Sequence, residues 1–319
     1  MPEKEARKER EKEKWIEIVV SAPPQLIEAL SNFITEAGAK GVFQEDTFDE
    51  ASPNDLDEPA EREELKAYIA SGPAGDKKIA ALGKYMESLS EIFPDIEKPS
   101  FKSRLIEEAD WGEQWKQYFK PLRLTKNIVI KPTWERYTPQ HRDIVVEIDP
   151  GMAFGTGQHP STRMCLEAIE DILLKDRSIR KWRVLDVGTG TGILGISCAK
   201  LGAESVVGAD IDPKAVEIAR KNVLINGVED RVRIVNRDVR KMKGTFDLIV
   251  ANLTAETLLK LKSHLISLTD PGRYLVISGI IEKNGTTIEE AFFAENMSLQ
   301  KTIREKEWLC CILKKGDKA

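Results

Sequence analysis

The chain has 319 residues and a formal net charge of −5, and hydrophobic residues make up 41% of it. This length exceeds that of a typical single domain, so we expect two domains with separate cores. The acidic balance argues against a nucleic-acid-binding protein, and no apolar run approaches the ~20 residues of a membrane-spanning helix. We therefore expect a cytoplasmic protein without nucleic-acid or membrane partners.

The first 14 residues, 1–14, are almost all charged, with both signs interleaved. A secretory signal would be apolar here, which supports the expected location in the cytoplasm. Because such a segment cannot bury an apolar face, we predict a disordered arm and assign it no function.

Residues 15–108 carry two successive sets of strand, helix and strand patterns. The first set is WIEIVV, PPQLIEALSNFITEAG and AKGVFQE, and the second is LKAYIA, DKKIAALGKYMESLSEIF and FKSRLIEE. The order βαββαβ predicts a ferredoxin-like α+β domain. Between the two sets, residues 45–64 contain ten acids and one base. This stretch is either a solvated loop or an acidic arm that attracts a basic partner.

Residues 109–148 are predicted to be a packed connector. Helical spacing in DWGEQWKQYFKPL places Trp111 and Trp115 on one face with Tyr118 or Phe119, which is typical of core packing. The following LTKNIVIKPTW has the pattern of a strand.

Residues 149–319 alternate regularly between strand and helix patterns, and their strands are almost continuously apolar. Such alternation predicts an α/β domain with a mostly parallel sheet that is covered by helices on both faces. SLQKTIREKEWLCCILKK then predicts an antiparallel hairpin that completes the sheet.

The cysteines and histidines are scattered and form neither a metal-ligand pattern nor a catalytic triad pattern. We therefore expect no metal site and neither a hydrolase nor a zinc enzyme, and we expect reduced, buried thiols. The residues concerned are Cys165, Cys198, Cys310, Cys311, His141, His159 and His264.

The segment VLDVGTGTGILG, residues 184–195, runs from an apolar strand through glycines into a helix. Glycines allow a close approach of the backbone to a ligand, and the helix offers free N–H groups, so a nucleoside cofactor is indicated. Gly188, Gly190 and Gly192 spell GxGxG, while Gly190, Gly192 and Gly195 spell GxGxxG. The glycines alone therefore leave a dinucleotide site open as an alternative.

Two aspartates bear on the choice of cofactor. Asp186 ends the strand before Gly188, where it would repel a pyrophosphate but suit the positive amino and sulfonium groups of S-adenosyl-L-methionine. Asp210 ends the next strand, where a carboxylate accepts hydrogen bonds from both ribose hydroxyls of either cofactor. The balance favours S-adenosyl-L-methionine over a nicotinamide dinucleotide.

A further glycine-rich segment, IDPGMAFGTGQHPSTRMCLEAIE, precedes the sheet, and its helix is predicted to start at about Pro160. Ser161 and Thr162 would lie in the first turn, where hydroxyls and free N–H groups can hold a carboxylate such as that of the methionine moiety. His159 is interpreted as a structural loop residue rather than as a base.

Several segments together resemble the PrmA family, the ribosomal protein L11 methyltransferases, from about Trp15 to Lys315. They are EADWGEQWKQYFKPL, KPTW, DPGMAFGTGQHPSTRMCLEAI, VLDVGTGTGILGI, DLIVANLTAETL, LVISGII and EKEWLCCIL. The glycine loop is shared by very many class I methyltransferases and says little about the substrate, whereas the FGTGQHPST segment combined with the tryptophan-rich connector is more specific.

The resemblance implies a class I, Rossmann-like S-adenosyl-L-methionine-dependent methyltransferase domain behind a ferredoxin-like domain that recruits a ribosomal large-subunit protein. It implies methylation of lysine side chains, an N-terminal amine, or both. Thr162, Gly188, Asp210 and Asn252 match cofactor-binding positions of the family, and Gly190 belongs to the same loop. Asn252 is also our candidate for the chemical step, and we expect the protein to act as a monomer.

Two positions depart from the family pattern, because Gln158 replaces a common Thr and Leu253-Thr254 replaces a common Ile-Leu. These departures leave open the alternative that the chain is a related methyltransferase that acts on a lysine of another protein or on RNA. Against an RNA substrate, the strands of the first domain lack an aromatic RNP-like run. A non-catalytic adaptor that keeps the cofactor as a structural ligand and an NAD-dependent oxidoreductase are further alternatives, opposed by Asn252 and Asp186 respectively.

Overall fold

A computed structural model of the chain describes residues 14–39, 42–45, 62–107, 119–149, 157, 159–176, 181–293 and 295–317. The predicted charged arm, most of the acidic stretch and the aromatic helix up to Tyr118 lie outside these residues. The chain divides into two compact units, residues 1–118 and 119–319. The division falls within the predicted connector, so that Phe119 and the residues after it belong to the second unit.

The first unit has six described elements in the order β, α, β, β, α, β. They are β1 Lys14–Ala22, α1 Pro24–Glu36, β2 Val42–Glu45, β3 Glu63–Ala70, α2 Pro73–Ile92 and β4 Ser100–Glu107. The strand order is β2-β3-β1-β4, and every neighbouring pair is antiparallel. This arrangement confirms the predicted ferredoxin-like fold.

Successive side chains of β1 lie on opposite faces of the first sheet. Ile16, Ile18 and Val20 of β1 are buried in one core with residues of α1 and α2, as the two-residue period of a strand requires. The opposite side carries Glu17, whose carboxylate is buried and accepts a hydrogen bond from the Tyr68 hydroxyl at 3.2 Å.

The second unit contains ten strands and five α-helices among its described residues. The helices are α3 Pro160–Lys175, α4 Ile193–Lys200, α5 Pro213–Ile225, α6 Ala255–Leu268 and α7 Gly285–Phe293. The strands are β5 Leu122–Arg123, β6 Ile128–Pro132, β7 Ile144–Ile148, β8 Arg183–Val187, β9 Ser205–Asp210, β10 Val232–Asn236, β11 Phe246–Asn252, β12 Thr269–Ile281, β13 Met297–Glu305 and β14 Trp308–Lys315. None of the described helices is both long and apolar enough to cross a membrane.

Seven of these strands form the main sheet in the order β10-β9-β8-β11-β12-β14-β13. The first five run parallel, and β14 is antiparallel to both of its neighbours. The mostly parallel sheet and the terminal antiparallel hairpin are therefore confirmed.

Two buried clusters cover the opposite faces of this sheet. On one face, Val184 and Val250 pack with residues of α3, α4 and α5. On the other face, Leu185 and Ile249 pack with residues of α6 and α7. Because both faces are covered, consecutive residues of a central strand are mostly apolar, which explains the near-continuous runs in the sequence.

A separate three-stranded sheet has the order β5-β6-β7, and the segment LTKNIVIKPTW, which was predicted as a strand, contains β6. The strand β5 precedes that segment and was not predicted, and a turn joins it to β6. Glu170 of α3 holds the turn, because its carboxylate accepts hydrogen bonds from the Thr125 hydroxyl at 2.8 Å and from the Asn127 N–H at 3.0 Å. The sequence analysis also missed β7, which pairs in parallel with β6.

Candidate active site

The candidate site lies at the carboxyl ends of the central strands. β8 pairs with β9 on one side and with β11 on the other. The strand order therefore runs outward from β8 through β9 and β10 on one side, and continues with β11 on the opposite side of β8. Ligands of open α/β sheets bind at such a switch point. Gly188 follows β8, Asp210 ends β9 and Asn252 ends β11, so the switch point gathers the predicted residues at one edge.

The glycine loop turns sharply between β8 and α4. Gly188, Gly190 and Gly192 have φ values of 70°, 55° and 85°, in the left-handed region that favours glycine. The N–H groups of Gly188 and Thr189 donate to the Ala209 carbonyl at 2.8 and 3.1 Å. These bonds hold the loop against the end of β9.

Asp210 is fixed by the same loop. One of its carboxylate oxygens accepts the Gly190 N–H at 3.0 Å, and the other accepts the Asp212 N–H at 3.0 Å. The residue is half-buried, and each oxygen keeps acceptor capacity beyond its single bond. The structure therefore brings Gly190 and Asp210 together and presents an oriented carboxylate at the sheet edge.

Asp186 has a different environment from the one that the sequence analysis expected. Its side chain is 1% exposed, and Oδ2 accepts hydrogen bonds from the Thr189 hydroxyl at 2.6 Å and the Gly195 N–H at 3.0 Å. Burial raises the pKa of Asp186 to about 6, although these two hydrogen bonds oppose the rise. Asp186 supports the loop from within the unit and does not present its carboxylate at the surface.

Thr162 and Asn252 meet on the other side of the switch point. Thr162 is buried in the first turn of α3, and its hydroxyl accepts a hydrogen bond from Asn252 Nδ2 at 3.3 Å. Ser278 of β12 donates to the Ser161 carbonyl at 3.1 Å, which ties the same turn to the sheet. The start of α3 at Pro160 is as predicted.

The orientation of Asn252 leaves its carbonyl oxygen without a hydrogen-bond donor among the described residues. Thr254 caps α6, since its side chain accepts from the Thr257 N–H, and Asn252 is therefore not the cap of this helix. The departure from the family pattern at Thr254 thus has a structural explanation.

Gly279 is a feature of this site that the sequence analysis missed. Its φ is 82°, and a Cβ atom there would lie 2.5 Å from the Leu253 carbonyl oxygen and 3.1 Å from Asn252 Oδ1. Glycine is therefore required for β12 to pass this close to the end of β11. The glycine in LVISGII, after an apolar strand, was the available signal.

The two halves of the site meet at Gly188. A Cβ atom on Gly188 would lie 2.6 Å from the Leu253 side chain, next to Asn252. Ile211, which follows Asp210, is 75% exposed and was also missed. An exposed large apolar side chain beside an oriented carboxylate gives this edge both apolar and polar ligand contacts.

His159 has the structural role that the sequence analysis assigned. It caps α3, where its Nδ1 accepts the Ser161 N–H at 3.2 Å, and its ring lies edge-on to Trp308 with the centroids 4.6 Å apart. Burial, with a smaller contribution from Arg163, lowers the pKa of His159 to about 4, against the opposing effect of Glu307. Across the described residues, no group of three His, Cys, Asp or Glu side chains has the arrangement of a metal site.

Comparisons with known proteins identify relatives of this chain. The family model described as ribosomal protein L11 methyltransferase (PrmA) matches residues 14–316, which span both compact units. A ribosomal protein L11 methyltransferase from Geobacter metallireducens is 37% identical over 306 residues, covering 95% of this chain and 98% of the relative. A protein of the same name from an Exiguobacterium species is 37% identical over 316 residues, covering 95% and 100%.

Among solved structures, a ribosomal protein L11 methylase from Lactobacillus delbrueckii subsp. bulgaricus is similar to this chain with a TM-score of 0.56 and 31% identity. The similarity covers 62% of this chain and 100% of that protein.

Proposed function

The chain belongs to the family of ribosomal protein L11 methyltransferases (PrmA), and from this premise we propose that it methylates amines of ribosomal protein L11. It is an S-adenosyl-L-methionine-dependent protein methyltransferase with a class I, Rossmann-like fold, as the sequence resemblance implied. We place the active site at the switch point of the main sheet because Asp210 and Asn252 converge there.

The residues at this edge fit S-adenosyl-L-methionine in their chemistry. The oriented Asp210 carboxylate suits the paired hydroxyls of a ribose, and the loop that contains Gly188 and Gly190 allows a close backbone approach. Thr162, in the first turn of α3, offers a helix N-terminus to the carboxylate of the methionine moiety. We assign Thr162, Gly188, Gly190, Asp210 and Asn252 to cofactor binding.

The bound cofactor supplies a methyl group that its sulfonium makes electrophilic. Asn252 would orient the substrate amine, since its carbonyl oxygen is an uncharged acceptor for an N–H group. A carboxylate at this position would stabilise a charged lysine, whereas the nucleophile must be the neutral amine. Positioning therefore contributes more to this reaction than acid or base catalysis.

Substrate recruitment is the role that we propose for the ferredoxin-like domain, which the sequence analysis placed at residues 15–108. All five assigned site residues belong to the second unit, and the family match nevertheless spans both units. A fragment that starts at Phe119 should bind S-adenosyl-L-methionine with unchanged affinity and fail to methylate folded L11. Methylation of L11 by that fragment at the full rate would contradict the recruiting role.

We further propose that the protein acts in the cytoplasm as a monomer, without direct nucleic-acid or membrane partners. A ribosomal protein is available there before its assembly, and all assigned site residues come from one chain. Sedimentation of the purified protein at working concentration, alone and with ribosomal RNA, tests the monomeric state and the absence of RNA binding. A dimer, or comigration with RNA, would contradict them.

The function is tested by incubating the protein with isotopically labelled S-adenosyl-L-methionine, ribosomal proteins and ribosomal RNA, and by locating the label with mass spectrometry. We expect label on lysine side chains or the N-terminal amine of L11, and the same spectra give the number of methyl groups. Label confined to another protein or to RNA would overturn the substrate proposal. The variant Asp210→Ala serves as the control for a dependence on the assigned site.

A further inference from the structure

Two asparagines bind the backbone of β7 and of the residue after it in the same way. Asn222 lies in the last turn of α5, and Asn226 is the C-cap residue that follows this helix. The Asp149 N–H donates to Asn222 Oδ1 at 2.9 Å, and Asn222 Nδ2 donates to the Asp149 carbonyl at 3.1 Å. The Glu147 N–H donates to Asn226 Oδ1 at 2.9 Å, and Asn226 Nδ2 donates to the Glu147 carbonyl at 2.6 Å. Each side-chain amide thus closes a pair of bonds with one backbone residue.

The two asparagines differ in their third hydrogen bond. Asn222 Nδ2 also donates to the carbonyl of Thr191 in the glycine loop at 2.9 Å, whereas Asn226 Nδ2 donates to the Asn222 carbonyl of its own helix at 2.8 Å. Asn222 is 0% exposed. Its two N–H groups both donate and its carbonyl accepts, so burial leaves none of these groups unpaired.

The Thr191 carbonyl is a sensitive point of the loop. It belongs to the peptide that precedes Gly192, the N-cap residue of α4. Because a peptide unit is planar, fixing this carbonyl also fixes the direction of the Gly192 N–H and of the first turn of α4. Besides its bonds to the end of β9, the loop is thus held by two buried side chains, by Asp186 through Thr189 and by Asn222 through Thr191.

Asp149 adds a second connection. It stands at the start of the glycine-rich segment IDPGMAFGTGQHPSTRMCLEAIE that the sequence analysis associated with the cofactor. A single buried amide therefore joins the glycine loop to the residue at which the second glycine-rich segment starts.

We propose that Asn222 is a positioning residue for S-adenosyl-L-methionine binding, acting through Thr191 and Asp149. The inference rests on the proposed cofactor site. Asn222 touches neither the cofactor nor the substrate in this role, because it lies behind the loop in the core between α5 and the sheet. Its contribution is to keep the glycine loop in the conformation that admits the cofactor, and binding affinity depends on it more than the rate at saturation.

Asn222→Leu and Asn226→Leu form a matched pair for the test, since both remove the paired bonds to the segment that contains β7 and only the first releases the glycine loop. Dissociation constants for S-adenosyl-L-methionine and for its demethylated product are measured by calorimetry well below the melting temperature of each variant. We expect binding to weaken about tenfold in Asn222→Leu relative to Asn226→Leu, as for the loss of one buried hydrogen bond. At saturating cofactor the turnover of the two variants should differ by less than about twofold.

Hydrogen exchange supplies a readout that does not depend on binding. The amides of residues 190–193 should exchange faster in Asn222→Leu than in the wild type and should be unchanged in Asn226→Leu. If Asn222→Leu does not fold, Asn222→Ser and Asn226→Ser replace the pair, with the same expected order.

Equal dissociation constants and equal amide exchange rates in the two variants would overturn the inference. If the wild-type protein binds S-adenosyl-L-methionine in that case, the proposed function still holds. Absence of binding by the wild-type protein would reject the proposed function, and the inference with it.

Discussion

The ends of β8 and β9 are neighbouring regions of one sheet, each with an aspartate beside the glycine loop, but the two aspartates have opposite environments. Asp186 is 1% exposed and both of its hydrogen bonds are made by one oxygen, while Asp210 is half-buried and receives one backbone N–H on each oxygen. Asp186 therefore fixes the shape of the loop, and Asp210 remains available to a ligand. Adjacent carboxylates in one motif acquire different roles from burial alone.

The largest expected effect is the change with pH in the contribution of Asp186 to stability. The pKa of Asp186 is raised from 3.8 to about 6 in the folded protein, chiefly by burial. Between pH 4 and 6 the folded state thus binds a proton that the unfolded state lacks. This group's contribution to stability, about 3 kcal/mol, is fully present below pH 4 and is lost as the pH rises through 6.

The variant Asp186→Asn measures that contribution. Its carbonyl oxygen can accept the bonds from Thr189 and Gly195 without a charge. The free energy of unfolding of Asp186→Asn minus that of the wild type should therefore be about 2.4 kcal/mol larger at pH 7 than at pH 4. Chemical denaturation of both proteins at both pH values gives this difference. The contributions of the other carboxyl groups cancel, because the two proteins share them. A difference that is independent of pH would contradict the environment described for Asp186.

Next in size is the effect of Asp210→Ala on cofactor binding. Loss of a charge-assisted hydrogen bond to the cofactor should weaken S-adenosyl-L-methionine binding by about 2 kcal/mol, or roughly thirtyfold. Calorimetry measures this loss, with Asp186→Asn as the comparison, since that variant should bind almost as well as the wild type. If Asp186→Asn weakened binding more than Asp210→Ala, the roles assigned to the two aspartates would be reversed.

A somewhat smaller effect is expected at the end of β11. Asn252→Asp has nearly the same shape and adds a negative charge that should raise the pKa of the substrate amine. Turnover near neutral pH should fall about tenfold, equivalent to about 1.4 kcal/mol, with partial recovery at higher pH. Single-turnover methylation between pH 7 and 10 measures this, with the melting temperature as control.

Since Thr254 caps α6, the stability of Asn252→Asp should stay close to that of the wild type. A variant of normal stability and unchanged rate at every pH would remove Asn252 from the chemical step.

The smallest effect is predicted for Thr162→Val, which removes the hydroxyl that accepts from Asn252 Nδ2 and keeps the side-chain volume. The loss of one neutral hydrogen bond should reduce turnover about threefold, through a less well oriented Asn252. The double variant Thr162→Val with Asn252→Asp provides the check. If the two single effects simply multiply, the hydrogen bond does not couple the residues.

Local patterns predicted most of the fold and about half of the site arrangement. The strands and helices of both units follow from apolar periodicity, and the glycine loop with Asp210 is a contiguous motif. β5 has only two residues, and its turn to β6 is held by Glu170, far along the chain, so no local pattern predicts β5 as a strand.

The other half of the site depends on residues distant in sequence. Thr162 and Asn252 are 90 residues apart and were connected only through the family resemblance. Asn222 is a polar residue on an amphipathic helix, where its sequence context suggests an exposed position. Its burial results from partners on two separate segments, which periodicity does not reveal.

The order of the main sheet has a consequence for the synthesis of the protein. β14 is translated after β12 and β13, yet it lies between them and pairs with both. A nascent chain that lacks β14 leaves the edge of β12 unpaired and β13 detached from the sheet. Exposed strand edges promote aggregation, so the methyltransferase unit is vulnerable until its final hairpin leaves the ribosome. The ferredoxin-like unit has all four of its strands long before then.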